Sequence, residues 1–402
     1  MSPEQTLLLA STDPRFGDSA RHAIESVLVG DLDWTSLVRL ALSHGMTPAL
    51  LAALDAVDQS LVPSEFLAVL REHCGRVRDR SLTLVAELHA ILEALERESV
   101  VAIAFKGPLM AELLFGDVGQ RAPGDLDVLV RPEDVTCVCR VLEGRGYTDS
   151  RGRALTSAQQ RMYRNYQCQY LFMRSSDGIV VEPHWAFAQR QRAIDPDYRA
   201  MFDHALCLPL GGRDVRCLAP GDLLLALCIH GGKHRWERLS WIRDIAALLA
   251  RWPQLDLESA VGRAKSTGCA RILLLGLAVA RRSAGVRLPV AIDRLIDRDQ
   301  TLLALQQEVM MRLFDPAKPT EGDDNARVLG FAFRMRERWS DRMRYVLRTL
   351  LVPRLEHIEI VALPGSLLWA YYPLRWSRDY VVLPVWRLVK PWLRAPPNRR
   401  AP

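Results

Sequence analysis

Long apolar runs are scarce in this chain of 402 residues. The longest uncharged stretch near the C-terminus, residues 360–374, contains two prolines and is shorter than the about 20 residues that a membrane-spanning helix needs. Residues 1–10 lack the basic leader and long apolar centre of a secretory signal. We therefore expect a cytoplasmic protein without a membrane span.

Cysteine pairs at metal-binding or redox spacing are also missing. The eight cysteines form no Cys-x-x-Cys pair and no zinc-ribbon pattern, which argues against a structural zinc site and a thioredoxin-like centre. We expect them to be reduced thiols. No helix-turn-helix, RNP-like aromatic motif or long Lys/Arg tract is present, so sequence-specific nucleic-acid binding is not expected.

Lysine is rare, whereas basic residues as a class are not. Only five of the 53 Lys and Arg residues are lysines, and two of them, Lys106 and Lys233, fall in the motifs described below. The net charge of +6 and a pI near 9.0 suit a protein that handles polyphosphate or another anion.

Residues 101–130 contain the clearest chemical motif. An apolar strand over 101–105 breaks at Lys106-Gly107, a turn that precedes a helix, and a second strand over 124–130 begins with Asp125 and Asp127. Strand alternation places both aspartates on one face. Paired carboxylates are ligands for a hard divalent cation, particularly one shared with substrate phosphates, so the motif indicates phosphoryl or nucleotidyl transfer.

Residues 178–185 supply a further carboxylate. Alternation places Glu182 and His184 on one face of this strand, so Glu182 could approach the aspartates if the two strands are neighbours. Pro183 removes a backbone donor and indicates the end of a strand or an edge strand.

These residues resemble the DNA polymerase beta-like nucleotidyltransferase superfamily, and more closely its bacterial branch, the uncharacterised nucleotidyltransferase family. The matching positions are Lys106-Gly107, Arg121, Gly124-Asp125-Leu126-Asp127 and His184-Trp185. The resemblance covers residues 30–290 and implies an α+β fold, in which a small mixed β-sheet core is flanked by helical regions on its N-terminal and C-terminal sides.

The resemblance also implies a mechanism and a set of roles. An acceptor hydroxyl would attack the α-phosphate of a nucleoside triphosphate, and pyrophosphate would leave. Asp125 and Asp127 would hold two Mg²⁺ ions, with Mn²⁺ as an alternative, and Glu182 would complete one site. Amides around Gly107 would cradle phosphate oxygens, while Lys106 and Arg121 would neutralise the triphosphate.

A second motif lies in residues 222–251, predicted to be helical with Asp222 as a good N-cap. Its His-Gly-Gly-Lys-His run also resembles the family. One interpretation is that Lys233 and His234 contact phosphate or acceptor, with Asp244 orienting a basic partner. The alternative is a packed helix end. Zinc binding by the two histidines is disfavoured because the glutamate of His-Glu-x-x-His is absent.

The predicted organisation has four parts. A helical region, 1–99, with an amphipathic helix and turn over 33–54 and another helix over 81–98, precedes a nucleotidyltransferase core, 100–218. A helical domain, 219–315, with a buried helix over 262–286, precedes a linker and a basic, aromatic tail, 316–402. The linker is predicted at 316–325 and disorder at 394–402. For the tail we expect packing on the core, with contact to a membrane surface or partner protein as the alternative.

The sequence thus predicts a magnesium-dependent nucleotidyltransferase. Its acceptor, a small molecule, peptide or glycan, is not identified by the sequence. Two alternatives stay open at this point. The chain could be a catalytically silent nucleotide-binding partner protein, or it could transfer another phosphate-linked group at the same two-metal site.

Overall fold

A computed structural model of the protein describes residues 1–122, 124–151, 155–315, 325–384 and 386. It confirms the α+β fold: helices surround one mixed sheet of seven strands. The predicted linker, apart from Asn325, and the predicted disorder at 394–402 lie outside the described residues.

The sheet is built around three central strands. Its order is β3-β4-β5-β2-β1-β7-β6. The strands are β1 (Ala102–Ala104), β2 (Leu126–Val130), β3 (Thr148–Asp149), β4 (Phe172–Arg174), β5 (Ile179–His184), β6 (Leu206–Leu210) and β7 (Arg213–Cys217). Strand β2 is antiparallel to β1 and parallel to β5, and β1 is parallel to β7. The strand that carries Asp127 and the strand that carries Glu182 are therefore neighbours, as Glu182 requires if it is to approach the aspartates.

Of the two alternatives predicted from Pro183, the structure shows the strand end. Pro183 is the residue before the last of β5, which is an interior strand between β4 and β2. The carbonyl of Pro183 still accepts a hydrogen bond from the Tyr170 amide at 3.1 Å. Regular pairing with β4 ends at Val181, whereas pairing with β2 continues through Pro183 to His184, so the missing donor falls near the end of the strand.

Five helices precede the sheet: α1 (Pro3–Ala10), α2 (Asp18–Leu28), α3 (Trp34–His44), α4 (Thr47–Asp55) and α5 (Ser64–Arg97). The helix and turn predicted over 33–54 correspond to two helices, α3 and α4, and Asp33 accepts a hydrogen bond from the Ser36 amide as the N-cap of α3. Helix α5 has 34 residues and begins much earlier than the predicted residue 81. Its C-terminal half packs under the sheet.

Four short helices lie within the core region: α6 (Gly107–Phe115), α7 (Val135–Gly144), α8 (Ser157–Tyr166) and α9 (Tyr198–His204). Six follow it: α10 (Pro220–Lys233), α11 (Leu239–Arg251), α12 (Leu257–Ser266), α13 (Ala270–Ala284), α14 (Val290–Arg298) and α15 (Gln300–Arg312). As predicted, residues 272–280 of α13 are buried. Helix α13 begins at Ala270 rather than at 262, because a separate helix ends before Gly268, whose φ is +71°.

The predicted helix over 222–251 is two helices. Helix α10 begins at Pro220, which suits a first turn, so Asp222 lies inside the helix rather than at its N-cap. The chain breaks where Arg235 and Trp236 adopt positive φ angles of 52° and 57°. The Trp236 side chain is fully buried against Gly231, and this packing holds the break.

The C-terminal segment forms α16 (Asn325–Arg334), α17 (Trp339–Leu351), α18 (Leu355–Ile360) and α19 (Tyr371–Ser377). Phe331, Met335 and Tyr345 belong to the same buried cluster as the helices around α10 and α13. Part of the predicted tail therefore packs on the body of the protein. None of the described helices is long and apolar enough to cross a membrane, and all eight cysteines are free thiols.

The contact between Gly231 and Trp236 gives a first prediction. A β-carbon at Gly231 would lie 2.5 Å from the indole ring, so Gly231→Ala should lower the free energy of unfolding by about 1–3 kcal/mol. Gly262, inside α12, is the control because a β-carbon there meets nothing within 4 Å. Gly262→Ala should stabilise the protein by up to about 1 kcal/mol. Denaturant unfolding compares the two, and stabilisation by both would contradict this account of the break.

Candidate active site

The strand directions bring the predicted site residues to one edge of the sheet. Lys106 and Gly107 follow the C-terminal end of β1, and Asp125 and Asp127 lie at the start of the antiparallel β2. Asp127 is directly opposite Glu182 in the parallel pairing of β2 with β5. Neighbouring parallel strands point paired side chains to the same face, so the two carboxylates lie side by side.

The Lys106-Gly107 turn packs tightly against the backbone of the acidic strand. Gly107 has a φ of +62°, and a β-carbon there would lie 3.0 Å from the carbonyl oxygen of Asp125. A left-handed conformation and this close approach both favour glycine. The turn therefore places the Lys106 side chain over the start of β2.

Asp127 is the most enclosed acid of the site. Its side chain is 0% exposed, and its Oδ1 atom accepts a hydrogen bond from Lys106 Nζ at 2.8 Å and another from His184 Nε2 at 2.8 Å. An ionised carboxylate only accepts, so His184 Nε2 carries a hydrogen in this contact. Burial opposes ionisation, but the nearby Lys106 charge and the His184 hydrogen bond together hold the pKa of Asp127 well below its usual range.

Glu182 stands beside this pair. Its Oε2 atom lies 3.4 Å from His184 Nε2 and accepts a hydrogen bond from Gln169 Nε2 at 2.6 Å. Ligand atoms of Asp127, Glu182 and His184 all lie within 4.8 Å of one another, and this trio is the one potential metal cluster found among the described residues. His184, which the sequence indicates only as sharing a strand face with Glu182, belongs to this trio, and Gln169 was not anticipated.

Asp125 lies just before β2 and outside that trio of ligand atoms. The pKa of Asp125 is raised to about 7, mainly by burial and secondly by the negative charge of Asp127. Glu182 acts in the same direction, while Lys106 and Arg121 oppose the rise. Three carboxylates are therefore crowded together, an arrangement that a divalent cation would stabilise.

The donor set fits a hard divalent ion. Asp127 Oδ2 is buried and has no hydrogen-bond partner among the described residues, so one oxygen of this carboxylate is available while the other is held. Oxygen ligands from Asp127 and Glu182, with Asp125 nearby, suit Mg²⁺, which takes one or two carboxylates and substrate phosphates. Carboxylate oxygens are also ligands that suit Mn²⁺.

Arg121 is tied to the second motif rather than pointing only to the carboxylates. Its Nε donates to Asp244 Oδ2 at 3.1 Å, and the neighbouring Arg243 donates to the Gln120 carbonyl at 2.8 Å. Burial raises the pKa of Asp244, whereas Arg121 opposes this rise. Burial likewise lowers the pKa of Arg243 to about 10. Helix α11 thus fixes the segment that leads into Asp125.

The C-terminal end of α10 faces the same site. Burial lowers the pKa of Lys233, and the charge of Lys106 is close enough to add to this effect. The pKa of His234 is lowered to about 3, mainly by burial and secondly by the charge of Lys233, so its imidazole is neutral. The rings of His230 and His234 pack against Trp241, with centroids 4.8 and 5.4 Å from the indole.

Arg192 is a basic residue near the site that the sequence did not reveal. It ends a short 3₁₀ helix, Arg190–Arg192, and donates from Nη1 to the Lys233 carbonyl at 3.5 Å. Its charge contributes to the lowered pKa values of Lys233 and His234. Within the described parts of the chain, neither Arg192 nor Lys233 has an ion-pair partner within 4.0 Å. Two cations without a partner of opposite charge indicate a place for an anion.

Comparison with known proteins agrees with this geometry. A sequence model of the uncharacterised nucleotidyltransferase family matches residues 30–285, more than half of the chain. The matched region contains the whole sheet and both motifs. No curated protein gives a match.

The buried Arg121–Asp244 pair gives a second prediction. Asp244→Asn removes the charge that faces Arg121 at a position where the Asp244 side chain is 2% exposed, so the free energy of unfolding should fall by about 3 kcal/mol. Asp55→Asn is the control, because its pair with Arg71 is 41% and 48% exposed and should contribute less than about 1 kcal/mol. Thermal and denaturant unfolding measure the two variants. An equal loss of stability in both would contradict a stabilising role of the buried Arg121–Asp244 pair.

Proposed function

Because the chain belongs to the uncharacterised nucleotidyltransferase family, we propose that it transfers a nucleoside monophosphate from a nucleoside triphosphate to a hydroxyl or phosphate acceptor with Mg²⁺. The family identifies the protein as a nucleotidyltransferase. The triphosphate donor, the ion and the residue roles are the content of the proposal.

One observation carries the proposal. The buried Asp127 carboxylate is held through Oδ1 by Lys106 and His184, while its Oδ2 is unpartnered beside Glu182. A purely structural buried carboxylate would be expected to have both oxygens satisfied. We assign the remaining oxygen to the metal ion, with Asp125 and Glu182 as the sources of further oxygens.

The charges around the site are divided between two sides. The carboxylates lie at the sheet edge, whereas Lys233, His234 and Arg192 lie around the end of α10, with Lys106 between the two groups. This division suits a metal–triphosphate complex, whose cation faces carboxylates and whose outer phosphates face basic groups. We assign Lys233 and Arg192 to the outer phosphates and the Gly107 turn to the phosphate nearest the sheet.

The chain's own groups account for the transfer step. A bound metal would supply Lewis-acid stabilisation of the phosphate oxygens. The acceptor oxygen attacks the α-phosphorus, the bond to pyrophosphate breaks, and the acceptor proton passes to a carboxylate, for which Glu182 is our candidate. Gln169 holds Glu182 at 2.6 Å and acts as a positioning residue.

The Lys106–Asp127 ion pair favours a second candidate function. Its ammonium neutralises Asp127 without any metal, at 2.8 Å. A protein with this pair could bind nucleotide without transferring it, as a regulatory module does. The dependence of triphosphate binding on Mg²⁺ separates the two functions. A protein that binds nucleotide without a metal would keep its affinity for triphosphate when Mg²⁺ is removed.

The metal role of Asp127 gives the third prediction. Asp127→Asn removes a charged ligand but keeps its shape, so Mg²⁺-dependent turnover of nucleoside triphosphate should fall by about 10³-fold, the rate equivalent of several kcal/mol. Calorimetric titration with each triphosphate, with and without Mg²⁺, would also show the metal-dependent part of binding disappear. Circular dichroism would establish that the variant is folded.

The matched control is Asp177→Asn, an acid that pairs with Arg174 in the turn before β5 and does not belong to the metal cluster of Asp127, Glu182 and His184. It should keep full metal-dependent binding and turnover. Retained turnover in Asp127→Asn would remove this residue from the metal site. If the wild type binds triphosphate equally well with and without Mg²⁺, the result would favour the second candidate function, a protein that binds nucleotide without transferring it.

The basic side of the site gives the fourth prediction. Lys233→Ala and Arg192→Ala should each weaken triphosphate binding by about 10- to 100-fold, the equivalent of losing one charged hydrogen bond. Both should bind a nucleoside monophosphate nearly as the wild type does, because the lost contacts are to the outer phosphates. Lys265→Ala, on the exposed side of α12, is the control. Equal losses of affinity for the monophosphate and the triphosphate would contradict the assignment of Lys233 and Arg192 to the outer phosphates.

A further inference from the structure

The tryptophans of this chain divide sharply by position. The five before residue 300 are buried or half-buried, whereas Trp339, Trp369, Trp376 and Trp386 are all at least 50% exposed. Fifteen of the 27 large hydrophobic residues that are exposed in the described parts of the chain lie between 339 and 386. Single exposed apolar residues are ordinary, but such a concentration indicates a contact surface.

Helix α17 presents one continuous part of this surface. Trp339, Met343, Leu347, Leu350 and Leu351 are all exposed. With about 100° between successive residues, these five fall within an arc of about 120° on one side of the helix. The opposite side contains Asp341 and Tyr345, which are buried against the body of the protein.

Helix α19 extends the surface. Tyr372, Trp376 and Tyr380 are exposed and four residues apart, so they share one side of the helix and of the π-helical turn that continues it. The Tyr380 hydroxyl donates to the Leu350 carbonyl at 3.4 Å. Arg375, 1% exposed, donates to the carbonyls of Thr349 and Val352 and so fastens α19 to the end of α17.

The charge of this segment is opposite to that of the rest of the chain. Residues 325–402 carry fifteen basic and five acidic side chains, a net charge of +10, whereas the whole chain carries +6. The preceding residues are therefore slightly acidic. A basic segment with exposed tryptophan and leucine is the combination that binds the interface of an anionic bilayer.

We propose that α17 and α19 form a surface that docks the protein on anionic lipid membranes. The apolar faces enter the headgroup region, the aromatic rings lie at the interface, and the excess positive charge is attracted to acidic lipids. Docking is peripheral, since the described helices include none that could span a bilayer. This property is separate from the proposed transfer reaction.

Vesicle sedimentation of the full chain tests this proposal and provides the fifth prediction. Phosphatidylcholine vesicles are compared with vesicles that also contain phosphatidylglycerol. The wild type should sediment with the anionic vesicles and be released by added salt. Trp339→Ser/Leu347→Ser should weaken this binding by about tenfold or more, because two apolar side chains no longer enter the interface.

Val69→Ser/Leu82→Ser is the matched control, since both residues are more than half exposed on α5. It should bind vesicles as the wild type does, and thermal unfolding checks that both double variants are folded. Absence of sedimentation, equal binding to neutral vesicles, or equal loss in both double variants would overturn the proposal. Self-association of the wild type that Trp339→Ser/Leu347→Ser abolishes, without vesicle binding, would identify a protein interface instead.

Discussion

The arrangement of this site depends on one buried carboxylate. Asp127 is fully enclosed, and an isolated ionised group in that position would be strongly unfavourable. It remains ionised because Lys106 and His184, which come from the turn after β1 and from β5, each reach its Oδ1 atom at 2.8 Å. Three neighbouring strand segments must therefore be in register for the charge to be tolerated. A one-residue slip of β5 would turn Glu182 and His184 to the other face of the sheet.

The second requirement is that positive charge be held on the other side of the site without being neutralised. The helical region meets it through the break between α10 and α11, where Trp236 packs on Gly231 and the chain turns back. The break leaves Lys233 and His234 at the end of α10 and lets Asp244 of α11 reach Arg121. The carboxylate edge and the basic helix end are thus positioned by different parts of the fold, and the Arg121–Asp244 pair joins them.

The local parts of this arrangement could be predicted from sequence, and the long-range parts could not. Alternation places Glu182 and His184 on one face, and glycine with two aspartates indicates the turn and the acidic strand. Pro183 indicates the end of a strand, but sequence does not show that β5 is an interior strand, nor that α10 begins before Asp222. Gln169 and Arg192 lie in segments without a regular apolar period. Arg192 is 41 residues from Lys233, and only the tertiary fold brings them together.

The C-terminal segment completes the site as well as carrying the exposed apolar surface. Arg336, which is buried, donates to the backbone carbonyl of Arg192, and Arg348 of α17 donates to Asp195 at 2.7 Å and to the Arg190 carbonyl at 3.3 Å. Arginine suits these positions because its planar fork can bind several carbonyl or carboxylate oxygens at once, which an ammonium group cannot do in the same geometry. The segment that presents Arg192 to the site is therefore held by the helix that bears Trp339 and Leu347. Removing the C-terminal helices would disturb the basic side of the site even if Asp125, Asp127 and Glu182 were untouched.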